Sequence, residues 1–343
     1  MNAARIAVAG AGLIGRRHIQ HIATEACAVL ACIVDPDPAT RHIAAQHDVP
    51  WYPSLGTMLN DSRPEGVILA TPNQLHVQGG LECIAAGLPV LVEKPIADNV
   101  TAGTALVAAA EAAGVPLLVG HHRRHNPLIT AAKAAIEAGR LGRIVTVHAT
   151  CWFFKPDGYF APAWRRQRGA GPIFVNLIHD VDLLRHLCGE IDTVQAMESN
   201  AIRGHAVEES AAIILRFRSG ALGTITLSDT TVAPWSWEFT SGENAAYTHT
   251  PEQSYMIGGT EAALAIPTLQ LWRHETRPDW WQPLGHERLA FTAEDPLARQ
   301  VRNFCAVIAG TASPVVSGRE GLATLRVIEA VKQAAQTGQA IPL

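Results

Sequence analysis

The sequence predicts an α/β fold in which a doubly wound parallel sheet is followed by a second domain with antiparallel strands. Three observations predict it. Short apolar runs alternate with alanine-rich helical segments over the first third of the chain. After about residue 122, apolar residues instead alternate singly with polar ones, as in half-buried strands. The length of 343 residues exceeds a usual single core of about 250 residues, so two domains are expected.

The first domain, residues 1–122, is predicted to contain five buried parallel strands. The apolar runs are residues 5–9, 28–34, 66–70, 89–92 and 115–119. Helical patterns lie between them, most clearly at residues 13–24, 75–86 and 100–113. Ligands of such sheets bind at the carboxyl ends of the strands, so the residues that follow each run are the candidates for a site.

The second domain, residues 123–343, has the patterns of an α+β substrate domain. Residues 143–151 alternate as a half-buried strand, and the runs 211–217 and 221–227 flank Ser219-Gly220, which is typical of a hairpin. Residues 232–258 are rich in aromatic and turn residues and are predicted to form a long excursion. A capping box at Ser317–Glu320 and an apolar stripe that ends at Gly338 predict a packed terminal helix.

Composition excludes several functional classes. The net charge of −4 argues against a dedicated nucleic-acid binder, and no apolar run reaches the roughly 18 residues of a membrane span. The first ten residues carry a single Arg and run directly into a motif, which argues against a signal peptide. The six cysteines form no Cys-x-x-Cys pair and no zinc spacing. We therefore expect free thiols, no metal site and a reducing, cytoplasmic location.

The segment Gly10-Ala-Gly12-Leu13-Ile14-Gly15 has the G-x-G-x-x-G pattern of a dinucleotide site. It follows an apolar strand and opens a helix, and an acidic residue ends the next strand 20 positions beyond its last glycine. The first glycine allows a tight turn, the second lets backbone approach a pyrophosphate, and the third lets the helix pack closely on the sheet. The amino end of the helix then favours the phosphates.

Asp35 is the acidic residue expected to accept hydrogen bonds from the adenosine ribose. Asp37 lies two positions further on, and carboxylates at this place disfavour the 2′-phosphate of NADP. Arg16 and Arg17 are the residues that could offset this preference. The sequence thus predicts NAD as the cofactor, with NADP the less favoured alternative.

Only four of the 27 basic residues are lysines, so a lysine used in chemistry has few candidates. Lys94 stands in Glu93-Lys94-Pro95, at the end of a predicted parallel strand, where ligands bind. Oxidation of an alcohol requires a base for the hydroxyl proton besides a hydride acceptor. Lys94 is therefore the lysine predicted to polarise or deprotonate a substrate hydroxyl.

A second polar group of residues opens a predicted helix. Asn176, His179 and Asp182 are spaced three apart, and on a helix this spacing places an amide, an imidazole and a carboxylate along one face. A carboxylate beside a histidine selects its tautomer and raises its basicity. The alternative is a polar first helical turn with a solvated Asp.

Together the glycine motif, Glu93-Lys94-Pro95 and the later His179-x-x-Asp182 helix resemble the glucose–fructose oxidoreductase / inositol dehydrogenase (Gfo/Idh/MocA) family. The resemblance covers essentially the whole chain and includes the Gly-Arg-Glu-Gly segment that begins at Gly318. It implies an N-terminal Rossmann domain and a C-terminal α/β domain with an open, largely antiparallel sheet. It also implies NAD(P)-dependent oxidation or reduction of a sugar, cyclitol or related hydroxylated ring.

The resemblance also assigns residues. It makes Lys94 the lysine that contacts the reacting hydroxyl and His179 the residue that transfers the proton. Further cofactor contacts are implied for Thr71, Pro72, Asn73, His76 and Glu93. Substrate contacts are implied for Arg123, Trp164, Arg165, Asn176 and Asp182. The family further implies a homodimer or homotetramer that uses the second domain.

The chain departs from the family pattern beside His179. Members similar to inositol dehydrogenase place an Asp four residues before the histidine, where this chain has Val175 with Asn176 next to it. An amide can form hydrogen bonds but cannot act as a base, which shifts the predicted chemistry onto Lys94 and His179. The departure also weakens an assignment to inositol itself.

The aromatic segment at residues 151–160 is a further candidate for substrate binding. Its rings, with Lys155 among them and arginines just after them, suit a sugar or ring that carries a carboxylate. A core or oligomer-contact loop is the alternative. A cis-dihydrodiol dehydrogenase, an NAD-dependent glycosidase and a non-catalytic NAD-sensing protein are the alternatives to a sugar or cyclitol dehydrogenase.

Overall fold

The computed structural model describes residues 3–343 as two compact units. The first contains the chain up to Asn126 together with Glu294–Leu325, and the second contains Pro127–Ala293 and Arg326–Leu343. This division differs from the predicted single boundary after residue 122, because a late segment returns to the first unit. In that segment Val301 and Phe304 are fully buried in the core of the first unit.

The first part of the chain alternates strands and helices as predicted. In chain order the elements are β1 (Ala4–Ala9), α1 (Leu13–Thr24), β2 (Ala28–Val34), α2 (Arg41–Gln46), β3 (Trp51–Tyr52), α3 (Leu55–Asp61), β4 (Gly66–Leu69), α4 (His76–Ala85), β5 (Val90–Val92), α5 (Val100–Ala113) and β6 (Leu117–Val119).

The chain after β6 contains both helices and largely antiparallel strands, as in an α+β domain. In chain order the elements are α6 (Pro127–Glu137), β7 (Ile144–Trp152), α7 (Ile178–Cys188), β8 (Ile191–Ser199), β9 (Ser210–Phe217), β10 (Leu222–Ser228), α8 (Trp237–Thr240), β11 (Tyr255–Gly259), β12 (Ala263–Ile266), β13 (Gln270–His274), β14 (Leu284–Arg288), α9 (Pro296–Ile308), α10 (Gly318–Thr337) and β15 (Ile341–Pro342).

The sheet of the first unit confirms the predicted doubly wound parallel class. Its strand order in the described chain is β3-β2-β1-β4-β5-β6, and each neighbouring pair is parallel. The order reverses between β1 and β4, which is where ligands of such sheets bind. The two-residue strand β3 lies outside the five predicted strands, because so short a run has no hydrophobic period.

The second unit is built on an open nine-stranded sheet, as the family resemblance implies. Its order is β14-β13-β12-β11-β7-β10-β9-β8-β15, in which β7 and β10 are parallel and the other pairs antiparallel. The predicted hairpin is present as β9 and β10, with Gly220 at a φ of 87° in its turn. Buried residues alternate along both strands, so one face of the sheet packs on helices.

The predicted terminal helix is confirmed, whereas the predicted excursion is shorter than expected. The terminal helix is present, and its cap forms as expected, since Ser317 Oγ accepts a hydrogen bond from the Glu320 amide at 3.3 Å. The predicted excursion at residues 232–258 is shorter, because Tyr255–Gly259 pairs with β7 as a regular strand. Within residues 3–343 the structure contains no helix with the length and apolarity that a membrane crossing requires.

Candidate active site

The glycine-rich turn after β1 forms a cradle of backbone. A Cβ at Gly10, where φ is 91°, would lie 2.5 Å from the Ala70 carbonyl oxygen, and one at Gly15 would lie 1.8 Å from the Gly10 oxygen. A Cβ at Gly12 would meet no atom within 4 Å. Two of the glycines are therefore required by packing, whereas the middle one borders open space at the amino end of α1. A pyrophosphate fits there, on the helix N-terminus.

The helix that starts at this turn presents apolar surface beside the cradle. Leu13 is 91% exposed and Ile14 is half-buried, although both belong to the first turn of α1. The predicted contact of these two residues with a dinucleotide is compatible with this exposure.

Asp35 is held at the end of β2 by backbone amides. Its Oδ2 accepts a hydrogen bond from the Ala11 amide at 2.7 Å, and its Oδ1 accepts one from the Asp37 amide at 2.9 Å. Each carboxylate oxygen keeps a further lone pair for a ribose hydroxyl. Asp35 thus joins the glycine turn to the end of the neighbouring strand, which suits its predicted role.

Of the two arginines near the turn, Arg16 contacts the turn itself and Arg17 contacts a distant carboxylate of the first unit. Arg16 Nε donates to the Ala11 carbonyl at 3.0 Å, and an Arg17 Nη atom lies 3.5 Å from a carboxylate oxygen of Asp295. Each contact uses one nitrogen of a guanidinium group that has five N–H donors. The preference for NAD over NADP therefore rests on the carboxylates of Asp35 and Asp37.

Thr71, Pro72 and Asn73 follow β4, on the strand end next to the glycine turn. His76 begins α4, and its ring is almost fully buried, with Nδ1 2.8 Å from the Pro95 carbonyl and Nε2 2.9 Å from the Thr71 carbonyl. Burial lowers the pKa of His76 against the opposing effect of these carbonyls. His76 thus ties the end of β4 to the segment after β5, and its implied place beside the cofactor stays a prediction.

Glu93 is also buried, and its carboxylate is engaged inside the first unit. Its Oε1 lies 2.7 Å from His18 Nε2, its Oε2 accepts a hydrogen bond from the Lys94 amide at 3.2 Å, and a Cβ at Gly120 would lie 2.8 Å from its carboxyl carbon. Burial alone would raise the pKa of Glu93, but the His18 hydrogen bond and the nearby charges of His18, His122 and Lys94 lower it overall. The Glu93 carboxylate is thus engaged by His18 and by the Lys94 amide, and the cofactor contact implied for Glu93 stays a prediction.

His18 is a residue that the sequence reasoning missed. A signal for it existed, because His18 lies on the same face of α1 as the buried Gly15, Ile19 and Ile22. A fully buried polar side chain on an apolar helix face requires a partner, and here the partner is Glu93. Lys94 itself follows β5 and is half-buried, with a cis peptide bond to Pro95.

The second unit carries the other predicted catalytic residue on an unusual helix. Residues Ile173–Leu177 form a π-helical turn that leads directly into α7, which carries His179 and Asp182. His179 and Asp182 share a face of α7, as predicted. Asn176 lies in the wider π turn, so the prediction that it continues the same α-helical line is corrected. Such turns are frequent at functional sites.

Asn176 offers a hydrogen-bonding group to a ligand. The residue is 9% exposed, and its Oδ1 is buried with no hydrogen-bond partner among residues 3–343. A buried acceptor without a partner is costly, and a substrate hydroxyl could satisfy it. Asp182 is fully buried, and the neighbouring Asp180 accepts a hydrogen bond from the Tyr255 hydroxyl, which ties α7 to β11.

Lys155 belongs to a buried ionic cluster. Its Nζ lies 3.3 Å from Asp229 Oδ2, while Arg203 pairs with the same carboxylate and also donates to the Lys155 carbonyl at 2.8 Å. Burial lowers the pKa of Lys155, and the Asp229 charge opposes that shift. Since Lys155 is only 4% exposed, the structure indicates a structural role, which differs from the predicted contact with substrate.

Trp164 and Arg165 lie in a short 3₁₀ turn with open surface beside them. The Arg165 guanidinium stacks 4.2 Å from the Tyr159 ring centre and 5.3 Å from that of Trp164, and it donates to the Tyr159 carbonyl at 2.8 Å. Trp164 is 57% exposed. A planar cation held between aromatic faces suits a ring that carries a carboxylate.

Arg123 lies in the 3₁₀ turn His122–His125 after β6 and is 4% exposed. The neighbouring Arg124 forms an ion pair with Glu320 at 2.9 Å, which joins this turn to the start of α10. The turn is thus part of the packed interior of the first unit.

Two family models match the chain. Residues 4–121 match the oxidoreductase family with an NAD-binding Rossmann fold, and residues 129–265 match the GFO/IDH/MocA C-terminal domain. Inositol 2-dehydrogenase of Rhizobium meliloti (strain 1021) is 26% identical over 336 residues, 95% of each protein. The 1,5-anhydro-D-fructose reductase of Ensifer adhaerens is 27% identical over 292 residues, which cover 84% of this chain and 82% of that protein.

Solved structures agree with these matches. The WlbA dehydrogenase from Bordetella pertussis, in complex with NADH and UDP-GlcNAcA, has a TM-score of 0.80 and 28% identity over 99% of each chain. Both halves of the chain thus match one family. The same chain carries the glycine cradle, the acidic residue after β2 and Glu93-Lys94-Pro95 after β5. The chain belongs to the Gfo/Idh/MocA family of NAD-binding oxidoreductases.

Proposed function

We propose that this protein is an NAD-dependent dehydrogenase that oxidises a secondary alcohol on a hydroxylated ring, with a sugar or cyclitol as the substrate class. The observation that carries the proposal is the arrangement at the carboxyl edge of the parallel sheet. Gly10 follows β1, Thr71 follows β4 and Lys94 follows β5, and these three strands are neighbours. A lysine thus stands on the sheet edge that carries the dinucleotide cradle.

Residues of the chain have separate proposed roles in the reaction. Bound NAD would accept the hydride from the carbinol carbon. Lys94 contacts the reacting hydroxyl and stabilises negative charge on its oxygen, and His179 accepts the proton. Asn176 orients a substrate hydroxyl through its unpartnered Oδ1 but cannot take a proton. Trp164, Arg165 and Arg123 remain proposed substrate contacts, with Arg165 favouring rings that carry a carboxylate.

The test is a substrate screen with purified protein. Ring polyols, sugars, sugar acids and lactones are incubated with NAD, and NADH is followed by its absorbance. We expect turnover with at least one ring alcohol. Failure of the whole panel to reduce NAD would reject the proposal in favour of an NAD-sensing protein, and release of intact sugar without net NADH would identify a glycosidase.

Two variants test the residue roles. Lys94→Ala and His179→Ala are each expected to lower kcat by roughly 10²- to 10⁴-fold, with NAD affinity by calorimetry unchanged. Lys133→Ala is the matched control, because Lys133 lies on α6 and forms an i,i+4 ion pair with Glu137. Unchanged turnover in either catalytic variant would reject its assignment.

We also propose a homodimer or homotetramer in a cytoplasmic, reducing location. The support for the assembly is a set of exposed apolar side chains on the sheet face opposite the helices, where Met197, Ile214, Leu222 and Met256 are 41% to 76% exposed. The support for the location is that all six cysteines are free thiols. Light scattering after size exclusion and subcellular fractionation test the two statements, and a monomer would reject the first.

A further inference from the structure

The amino end of the helix that carries His179 is held by a distant carboxylate. Glu208 Oε1 accepts a hydrogen bond from the Ile173 amide at 3.2 Å, and the Glu208 side chain is only 2% exposed. The approach is so close that a Cβ at Gly171 would lie 2.1 Å from Glu208 Oε1. Glycine at position 171 is therefore required by the position of this carboxylate.

A lysine holds the other side of Glu208. Lys332 Nζ, from the last turns of α10, lies 2.8 Å from Glu208 Oε2 and 2.6 Å from Glu198 Oε2. Burial alone would lower the pKa of Lys332, but the two carboxylates raise it overall, so the ammonium form is retained. A buried carboxylate needs such a partner, since an unpaired buried charge is costly.

The neighbouring residues of this first helical turn are attached locally. Pro172 has no amide hydrogen, and the amides of Phe174 and Val175 donate to the Gly171 carbonyl at 3.2 Å and 3.0 Å. Glu208 thus fixes the Ile173 amide, where the π-helical turn begins. The direction of Asn176 and His179 depends on where that wide turn starts, because both follow it along the same helix.

We propose that Glu208, held by Lys332, is a positioning residue that anchors the π-helical turn and thereby orients Asn176 and His179 for the reaction. It acts through the backbone of Ile173 rather than by contact with substrate or cofactor. The role in catalysis rests on the function proposed for His179, whereas the anchoring step is independent of it.

The anchoring step is tested by hydrogen exchange of the whole protein, which needs no substrate. In Glu208→Met we expect the amides of residues 173–180 to exchange at least about tenfold faster than in the wild type. Glu209→Met is the matched control: it removes an adjacent buried carboxylate that instead binds the Ile202 and Arg203 amides, at 2.5 Å and 2.9 Å. Unchanged exchange in Glu208→Met, or equal acceleration in the control, would overturn the proposal.

The positioning role is tested by kinetics with the panel substrate that the wild type oxidises fastest. Glu208→Met should lower kcat by about tenfold to a hundredfold with KM for NAD unchanged. Glu208→Gln keeps an acceptor for the Ile173 amide and should recover most of that loss. Gly171→Ala should reproduce the loss by displacing the same side chain, and the double variant Gly171→Ala/Glu208→Met should be no worse than either single one.

Additive losses, or a kcat loss as large in Glu209→Met, would overturn the positioning role. Failure of the proposed function can be distinguished from failure of the anchoring step. A wild type that oxidises nothing on the panel rejects the proposed function, while hydrogen exchange still decides the anchoring step.

Discussion

His18 Nε2 lies 2.7 Å from Glu93 Oε1, with side-chain exposures of 0% and 7%. The pair joins the first helix to the residue that precedes Lys94, whose amide donates to the other oxygen of the same carboxylate. A buried carboxylate that loses its hydrogen-bonding partner is costly, and so is a buried partner that loses its carboxylate. The position of Lys94 on the sheet edge thus depends on a contact between two buried side chains.

We predict that Glu93→Gln lowers the free energy of unfolding by about 3–5 kcal/mol at pH 7. The pKa of Glu93 is lowered in the folded state, so its contribution is complete above its unfolded pKa of about 4.3 and is lost as the pH falls through the lower folded value. Urea unfolding of wild type and variant between pH 7 and pH 4 measures the difference between their free energies of unfolding. This difference should start to decrease only at the acidic end of the range. A decrease that begins near pH 6 would contradict the lowered pKa of Glu93.

The glycine cradle predicts opposite outcomes for two similar changes. Gly12→Ala should fold with nearly unchanged stability, because its Cβ meets no atom within 4 Å, but NAD should bind about tenfold or more weakly because the methyl group takes the space of the pyrophosphate. Gly15→Ala should lose about 3 kcal/mol or more of stability, since its Cβ would lie 1.8 Å from the Gly10 oxygen. Calorimetric NAD binding and thermal unfolding separate the two, and normal NAD affinity in Gly12→Ala would contradict the site.

Cofactor choice should depend on Asp35. Asp35→Ala removes both the ribose acceptor and the negative charge that repels a 2′-phosphate, so the ratio of NAD to NADP affinity should fall roughly tenfold or more. Asp37→Ala is the control with a smaller expected effect, since Asp37 is exposed and its Oδ1 accepts a hydrogen bond from the Ala39 amide. The two dissociation constants are measured by titration, and an unchanged ratio in Asp35→Ala would reject the assignment.

Two cationic side chains near the aromatic segment, Lys155 and Arg165, are predicted to behave differently. Lys155→Met should destabilise the protein by about 3 kcal/mol, because the buried Asp229 loses its lysine partner and keeps Arg203. Arg165→Met should leave stability nearly unchanged and raise KM for a substrate that carries a carboxylate. Urea unfolding and steady-state kinetics on sugar acids provide the comparison, and a selective KM effect of Lys155→Met would restore it as a substrate residue.

Most of the fold and the cofactor half of the site can be predicted because their signals are local. A buried parallel strand appears in the sequence as a short apolar run, and the residues that follow the run lie at the edge of the sheet where ligands bind. Because Gly10, Asp35 and Lys94 each follow such a run, the sequence alone predicts that they lie at this edge. The π-helical turn at Ile173–Leu177 is not predictable in this way, since its sequence also fits an α-helix.

The sequence by itself determined the two-domain α/β class, the dinucleotide motif and the small set of residues that chemistry can use. Only the tertiary structure decided which polar side chains hold other residues in place instead of binding a ligand. His18 contacts Glu93, which lies 75 positions away, and the Ile173 amide donates to Glu208, which lies 35 positions away. Lys155 forms an ion pair with Asp229. The physical reason is that a buried polar group must be paired, and its partner is set by packing between elements that are distant in sequence.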